Sequence, residues 1–382
     1  MNRDIFLLVC FKSGEHQVSP LKNVYNLKQG IFMSTRSLGV VIVGFGGMGY
    51  QHSLMISQVS RLKLLGAYDI KAEAQEKAAK SGIKAYPSLD AVLADPAVEI
   101  VLIATPNDTH KDIAIKAMKA GKHVICEKPV CLDSTELAAI LAVAAETGKV
   151  FQVHQNRRWD EDYLIVKKLY DEKLIGEVFH IETRVQGSRG IPGDWRRLEA
   201  QGGGMMLDWG VHLLDRITVM IPGRIVQVFC KLNFPTGEEV DEGFHVFLTF
   251  EHGKTVMVEV GTRNFLSLPL WYVSGTMGTA IIQDWTLSGR VMTLQTIENM
   301  DATPIVAGAG LTKTMAPRID ETATEAPLPR VKADVCDFYR NVIDVIEGRA
   351  KPVIKNAEVM RVMKLMETCF LSDKTGQVIQ FE

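Results

Sequence analysis

Residues 38–49 read LGVVIVGFGGMG. The first six, Leu38–Val43, are an unbroken apolar, β-branched run, the pattern of a strand buried on both faces of a parallel sheet. The run leads straight into Gly44-Phe45-Gly46-Gly47-Met48-Gly49, a match to G-x-G-x-x-G. In such a loop Gly44 allows the tight turn, Gly46 lets the backbone approach a pyrophosphate, and Gly49 lets the next helix pack on the strand. The free N–H groups and positive dipole end of that helix suit phosphates. A second apolar run, Leu62–Tyr68, ends in Asp69, twenty residues after Gly49. An acid there accepts hydrogen bonds from the adenosine ribose hydroxyls. It also repels a 2′-phosphate, so NAD is expected over NADP, with the nearby Lys71 keeping NADP as the alternative.

The alternation continues. Ala72–Ser81 and Ser88–Leu93 read as helices, Glu99–Ala104 as a buried strand, and Asp108–Ala120 as an amphipathic helix closed by Gly121. Lys122–Cys126 reads as a strand, Ser134–Thr147 as a helix closed by Gly148, and Val150–His154 as a further strand. Such alternation predicts βαβ units in an α/β fold with a doubly wound parallel sheet. We assign this Rossmann domain to residues 38–156, a second α/β domain to 157–382, and an extension to 1–37. Within the extension, the apolar run Ile5–Phe11 has only Arg3 before it and no small-residue cleavage site after it, which argues against a secretory signal. Lys28-Gln29-Gly30 permits a purine-rich ribosome-binding sequence ahead of the Met33 codon. Residues 1–32 are therefore expected to be translated leader, poorly ordered if present.

Composition narrows the function. The 382-residue chain is 47% hydrophobic and 23% charged, with a net charge of −2 and no block of like charge. That excludes a disordered chain and argues against a nucleic-acid or polybasic membrane footprint. No apolar run approaches a membrane span. The cysteines Cys10, Cys126, Cys131, Cys230, Cys336 and Cys369 form no C-x-x-C and read as reduced residues of a cytoplasmic protein. The histidines make no H-x-x-x-H, and no metal is expected.

Two clusters carry residues suited to chemistry. Glu127-Lys128-Pro129 follows the Lys122–Cys126 strand, at the end where ligands bind in open α/β sheets. A lysine there can donate to a substrate hydroxyl and favour its alkoxide as hydride departs. Taken alone, Lys128 reads equally as a solvated loop lysine. Pro129 allows a cis bond that would aim Lys128 into a cleft, although trans is the commoner form. Further on, Gly202-Gly203-Gly204 leads to Asp208 and His212, four apart and so on one face of a helix. His212 can shuttle a proton near neutral pH, and a neighbouring carboxylate can orient it or raise its pKa. A structural Asp–His pair is the equal alternative.

These motifs together resemble a known family. GFGGMG (44–49), TPNDTH (105–110), GKHVICEKP (121–129) and GGGMMLDWGVHLLD (202–215) occur in the order of the Gfo/Idh/MocA oxidoreductases, and the likeness continues through GTMGT (275–279) to SDKTG (372–376). The resemblance implies a C-terminal α/β domain whose large, mostly antiparallel sheet forms a homo-oligomer, a dimer or tetramer. The runs Val178–Val185, Ile225–Leu232, Phe244–Phe250, Thr255–Val260, Leu270–Ser274 and Thr279–Gln283 fit that sheet. It also implies catalytic roles: His212 as general base, Lys128 polarising the same oxygen, and Asp208 holding substrate and orienting His212. The cofactor would rest on Gly44, Phe45, Gly46, Gly47, Met48, Gly49, Asp69, Thr105, Pro106, Asn107, His110, Glu127 and Lys128, with His52 and His110 as positioning or packing residues. Substrate contacts are expected from Asn156, Arg157, Arg158 and Trp159, and from Arg189, Trp195 and Arg196 in the loop Ser188–Arg197, beside Asp208 and His212. Surface arginines, a packed tryptophan and a salt-bridged loop are the alternatives. The polar stretch Asp301–Arg330 reads as an excursion from the sheet that covers the active site or a neighbouring subunit, followed by helices at Val331–Glu347 and Ala357–Thr375.

The leading reading is therefore an NAD-dependent dehydrogenase of a cyclic polyol or sugar, either inositol-like or oxidised at C3 of glucose or a glucoside. A glycosidase or nicotinoprotein that recycles bound NAD through a transient keto-sugar is the alternative. A nicotinamide sensor would be expected to lack the catalytic residues that this chain keeps.

Overall fold

The strand pattern of the sequence resolves into two large sheets. The structure is a computed structural model that describes residues 36–296, 303–315 and 322–382, so the expected leader and the Met33 start lie outside the described residues. The first half runs β1 (Leu38–Val43), α1 (Gly47–Ser57), β2 (Leu62–Tyr68), α2 (Ala72–Lys80), α3 (Leu89–Ala94), β3 (Ile100–Ile103), α4 (His110–Lys119), β4 (His123–Cys126), α5 (Ser134–Thr147) and β5 (Phe151–Val153). Its strands lie in the order β2-β1-β3-β4-β5, every pairing parallel. All residues of β1 and β3 are buried, which explains their unbroken apolar runs. The order reverses between β1 and β3, and the crevice at their carboxyl ends is where such sheets take ligands. Local signals end the helices as the sequence predicts. Asp133 accepts the Glu136 N–H at the start of α5 (2.8 Å), and Gly148 turns left-handed at its end.

The second half contributes α6 (Glu161–Asp171), β6 (Val178–Gln186), α7 (Val211–Met220), β7 (Ile225–Asn233), β8 (Gly243–Phe250), β9 (Thr255–Gly261), β10 (Trp271–Gly275), β11 (Gly278–Ile282), β12 (Gly289–Leu294), β13 (Ile305–Ala307), β14 (Gly310–Thr312), β15 (Ala323–Pro327), α8 (Cys336–Ile346), α9 (Asn356–Thr375) and β16 (Ile379–Gln380). Nine strands form one sheet, β15-β12-β11-β10-β6-β9-β8-β7-β16, antiparallel except for the parallel pair β6·β9. One face is core. The other carries Phe229, Phe247 and Met257 side by side in register across β7, β8 and β9.

Two expectations are corrected. The stretch 301–330 is not simply an excursion, because β15 returns to pair with β12 at the sheet edge. The helix expected from Val331 starts at Cys336, whose N–H bonds the Asp334 carboxylate (2.9 Å). No described helix is long and apolar enough to cross a membrane.

Residues Ser37–Glu382 pack as one unit. α9 lies against α5, α7 and β7, and its Glu367 accepts both the N–H and the hydroxyl of Ser134 (2.6 and 2.9 Å). Arg158 is the deepest tie. It is 7% exposed and forks onto Asp215 (2.8 and 2.7 Å) while donating to Glu358 of α9 (2.8 Å). Its expected role as a substrate contact is thereby corrected, since both edges of the guanidinium are spent inside the protein. Removing it would strand Asp215, 1% exposed, as an unpaired buried charge. Arg158→Ala is expected to lose about 3–5 kcal/mol of stability in denaturant titration, with KM little changed in whatever protein remains folded.

Candidate active site

The glycine loop between β1 and α1 has the shape its sequence requires. Gly44 has φ +92°, and a Cβ there would lie 2.6 Å from the Ala104 carbonyl carbon. A Cβ on Gly49 would strike the Gly44 carbonyl oxygen at 2.1 Å, so helix and turn touch through glycine alone. At Gly46 and Gly47 a Cβ would meet nothing within 4 Å. This open face lies over the N-terminus of α1, which has no side-chain cap and so presents unpaired N–H groups. Asp69 closes the loop from β2, accepting the N–H groups of Phe45 (2.7 Å) and Lys71 (2.9 Å). Ile70 beside it is 84% exposed, an apolar surface suited to an adenine face. Its lone position in a turn gave the sequence reading no cue. The arrangement fits a dinucleotide: an uncapped helix start for pyrophosphate, and a carboxylate twenty residues on for ribose.

Loops from the neighbouring strands converge here. Thr105 and Pro106 leave β3, and the Thr109 hydroxyl donates to the Thr105 hydroxyl (2.7 Å). Buried Asn107 donates to the Gly202 carbonyl (2.8 Å), tying the exit of β3 to the glycine triplet. A Cβ on Gly203 would stand 2.4 Å from the Arg196 carbonyl oxygen and one on Gly204 2.3 Å from the Asp241 carboxylate, so neither position has room for a side chain.

Lys128 follows β4, and its bond to Pro129 is cis. Its Nζ donates to the carbonyl (3.1 Å) and the carboxylate (3.2 Å) of Asp208. The other Asp208 oxygen accepts from Arg196 (3.1 Å). Burial pushes the Asp208 carboxyl up, but the two cations outweigh it and hold the group below its ordinary value. Asp208 lies in a π-helical turn, Met206–Gly210, ahead of α7, and it does not bond His212. The expectation that it orients His212 is therefore corrected: its oxygens belong to Lys128 and Arg196. His212 is buried and makes no hydrogen bond among the described residues, and its Nδ1 is left without a partner. Burial, then the cations Lys128, Arg157 and Arg216, drive its pKa well down, so the imidazole is neutral and open to a proton.

Glu127 and His110, expected at the cofactor, are both buried and bonded within the protein, His110 as the positioning residue the sequence suggests. One oxygen of buried Glu127 meets both His52 Nε2 (2.7 Å) and His154 Nδ1 (2.8 Å), and the other accepts the Lys128 N–H (3.1 Å). His52 Nδ1 meets the Tyr339 hydroxyl at 2.5 Å. These four residues are spread from 52 to 339, so no spacing motif announces them. The trio of Glu127 and two histidines resembles a metal set, but Glu127 stands at hydrogen-bond length from each histidine. Ligands around a tetrahedral zinc stand about 3.3 Å apart. His110 is enclosed between the carbonyls of Thr105 (2.9 Å) and Pro129 (3.1 Å).

A cleft of about 670 Å³ opens beside Asp208, lined among others by Arg157, Gln186, Arg189, Met205, Trp209 and Trp285. Its size suits a small ligand. Of the expected substrate residues, Arg157, Arg189 and Asp208 line it. Arg157 lies 4.2 Å over the Trp209 ring and pairs with Asp160 (2.8 Å). The others fall outside the lining. Trp159 packs on Phe338, Trp195 lies against Arg196 (4.5 Å), and Asn156 starts the turn that leads to buried Arg158. Trp209 and Trp285, 6.1 Å apart, supply the aromatic wall that sequence reasoning missed. Trp209 stood in view between Asp208 and His212, whereas Trp285 is brought in only by the distant β11–β12 turn.

Comparison with known proteins agrees with this geometry. Residues 38–155 match the model described as an oxidoreductase family with an NAD-binding Rossmann fold, and residues 163–281 match the GFO/IDH/MocA C-terminal domain. A structure titled NAD-binding protein from Listeria innocua is 49% identical, with a TM-score of 0.86 over 90% of this chain and 99% of that one. The scyllo-inositol 2-dehydrogenase (NAD(+)) of Bacillus subtilis is 32% identical, spanning 57% of this chain and 65% of its own. The scyllo-inositol 2-dehydrogenase (NADP(+)) of the same organism is 27% identical, over 77% and 82%. Asp69 is the residue that bears on cofactor choice. Asp69→Ala is expected to weaken NAD binding roughly 10- to 100-fold, the scale of a hydrogen bond to a charged group. Fluorescence titration with both cofactors should show the NAD:NADP affinity ratio falling towards one, and an unchanged ratio would separate Asp69 from the ribose.

Proposed function

The chain belongs to the Gfo/Idh/MocA oxidoreductase family, and on that premise we propose that it oxidises a secondary hydroxyl of a cyclic polyol or sugar, with NAD as the preferred cofactor. One observation carries this reading: Asp208, paired with Lys128, lines a cleft walled by two indoles, and neutral, unpartnered His212 lies beside the Trp209 indole, 5.9 Å between ring centres. Indole faces suit the C–H faces of a sugar ring, and the polar groups suit its hydroxyls. The names of the inositol dehydrogenase relatives support a polyol substrate.

When bound, the nicotinamide supplies the hydride acceptor. Lys128 Nζ donates to the reacting hydroxyl oxygen and favours its alkoxide. His212 takes the hydroxyl proton on its free imidazole nitrogen. Asp208 holds Lys128 in place, and Arg196 fixes Asp208 from the other side. Beneath Lys128, Glu127 holds the backbone N–H of the same residue. The five free, buried cysteines among the described residues support a reducing, cytoplasmic setting. The row Phe229, Phe247 and Met257, half-buried at its two ends and exposed at Phe247, supports assembly into a homo-oligomer through the nine-stranded sheet, since an apolar row open to solvent favours a partner surface.

The test is NAD reduction, followed by absorbance, against inositols, free sugars and glucosides. Stoichiometric NADH with one substrate class is expected. Aglycone release or exchange between two sugars without net NADH would overturn the dehydrogenase reading in favour of in-place recycling. Lys128→Ala is expected to lower kcat by about 10²–10⁴-fold while NAD still binds.

The sign of the pH dependence follows from His212. Only the neutral imidazole can take the proton, and its folded pKa lies well below 6.5. kcat/KM should therefore hold steady down through pH 6.5 and fall only in more acid solution. His212→Ala should abolish that acid limb along with most activity, and persistence of the limb would assign it to another group.

A further inference from the structure

We propose that the substrate is an anion: a cyclic polyol or sugar bearing a carboxylate or phosphate that pairs with Arg189 while its ring lies against Trp209 and Trp285. The proposal deepens the dehydrogenase reading and rests on it for the identity of the cleft.

The argument is one of charge pairing around the cleft. Its wall and the layer directly behind it hold four cations, Lys128, Arg157, Arg189 and Arg196. Three have fixed carboxylate partners within the protein. Lys128 and Arg196 share Asp208 (3.2 and 3.1 Å), Arg196 also holds Asp194 (2.9 Å), and Arg157 holds Asp160 (2.8 Å). Arg189 has no such partner among the described residues. Asp208, the carboxylate in the lining, already serves two cations, one on each oxygen. The cleft therefore carries an unneutralised positive charge, and a neutral polyol would leave it so.

Arg189 is also presented from a fixed backbone. The Gly187 N–H bonds the Gly261 carbonyl (2.8 Å), the Gly190 N–H bonds the Thr262 carbonyl (3.0 Å), and the Asn264 N–H returns to the Gly187 carbonyl (2.7 Å). Three backbone bonds within four residues pin this loop to the exit of β9, so little ordering remains when a ligand arrives. The same loop covers a second guanidinium. Arg263 Nη2 lies 3.2 Å from where a Gly190 Cβ would stand, and that arginine is already paired with buried Glu242 (3.4 Å). Around buried His212, beside Trp209, the cations Lys128, Arg157 and Arg216 act against protonation of the imidazole, with Glu127 opposing them. A guanidinium recognises a carboxylate or phosphate through two parallel N–H donors, which gives it both strength and orientation. With the anionic group at Arg189 and the ring on the indoles, one ring hydroxyl is directed towards Lys128 and His212.

Calorimetry on the NAD-loaded protein at low ionic strength tests this with matched pairs: glucose against glucuronate, and glucose against glucose 6-phosphate. At least one acidic member of these pairs is expected to bind tenfold or more tightly than glucose, and the stronger of the two identifies the carboxylate or the phosphate as the group recognised. Arg189→Ala, on an exposed loop, should weaken the favoured acid at least tenfold more than it weakens glucose, and Arg189→Lys should restore part of the difference. Equal affinity for neutral and acidic members, no measurable binding of either acid, or equal weakening of all ligands by Arg189→Ala would overturn the proposal. Turnover separates the two readings. Acid-selective binding without NADH formation would leave the anion site standing and remove the dehydrogenase. NADH formation from neutral polyols with no acid preference would do the reverse.

Discussion

A single buried carboxylate organises this protein. Glu127, at the end of β4, gathers His52 from α1 and His154 from the end of β5 on one oxygen and the Lys128 backbone on the other, while Tyr339 of α8 secures His52. Burial works against the carboxylate's charge, but its histidine neighbours outweigh burial and hold it ionised, well below the ordinary glutamate range. Both histidines meet the ionised carboxylate as N–H donors, since it has no proton of its own to give. The cofactor-loop helix, the strand that delivers Lys128, and a helix from the far end of the chain are thus referenced to one point. Removing one member of such a buried set strands the others, and the cost is typically about 3–5 kcal/mol. The precision of the site is therefore a property of the whole chain and not of its loops.

The same principle separates structural from functional charge. Arg158 and Arg157 are adjacent, yet one is enclosed by Asp215 and Glu358 and the other leans over Trp209 at the cleft. Asp208 and Asp215 lie about two turns apart on one segment and divide in the same way. Asp215 serves an internal arginine, whereas Asp208 serves the lysine at the reacting centre. What distinguishes each pair is the partner that the fold supplies. The residue types are the same.

This explains how far the sequence could be read. The β1 run, the glycine loop and Asp69 were legible because strand burial, turn geometry and helix-terminus chemistry all act over a few residues. The likeness of four short motifs placed Lys128, Asp208 and His212 around one site. Illegible were contacts whose partners lie far along the chain: Glu127 with His52, Arg158 with Glu358, and Trp285 opposite Trp209. α6 escaped notice because buried Asp162, which accepts from Trp271 (2.7 Å) and pairs with Arg216, interrupts its apolar stripe. β15 escaped because its alternation is weak and it lies at a sheet edge. Helix starts set by one side-chain bond, as at Asp334, shift by several residues without changing the periodic pattern.

The parallel pair at the middle of the nine-stranded sheet carries a consequence for how the chain acquires its structure. β6 cannot close on β9 by a hairpin, because parallel neighbours need a long crossover. Here the crossover contains α7, β7 and β8, and His180 waits for Thr255, 75 residues downstream. Emerging from the ribosome, the parallel sheet of the first half can assemble from local βαβ units, while β6 stays an unpaired edge until β9 and β10 have been made. Late, non-local closure of this kind slows folding and exposes strand edges in the meantime. Synthesis rate and chaperone access during that interval, more than final stability, then govern the yield of native protein.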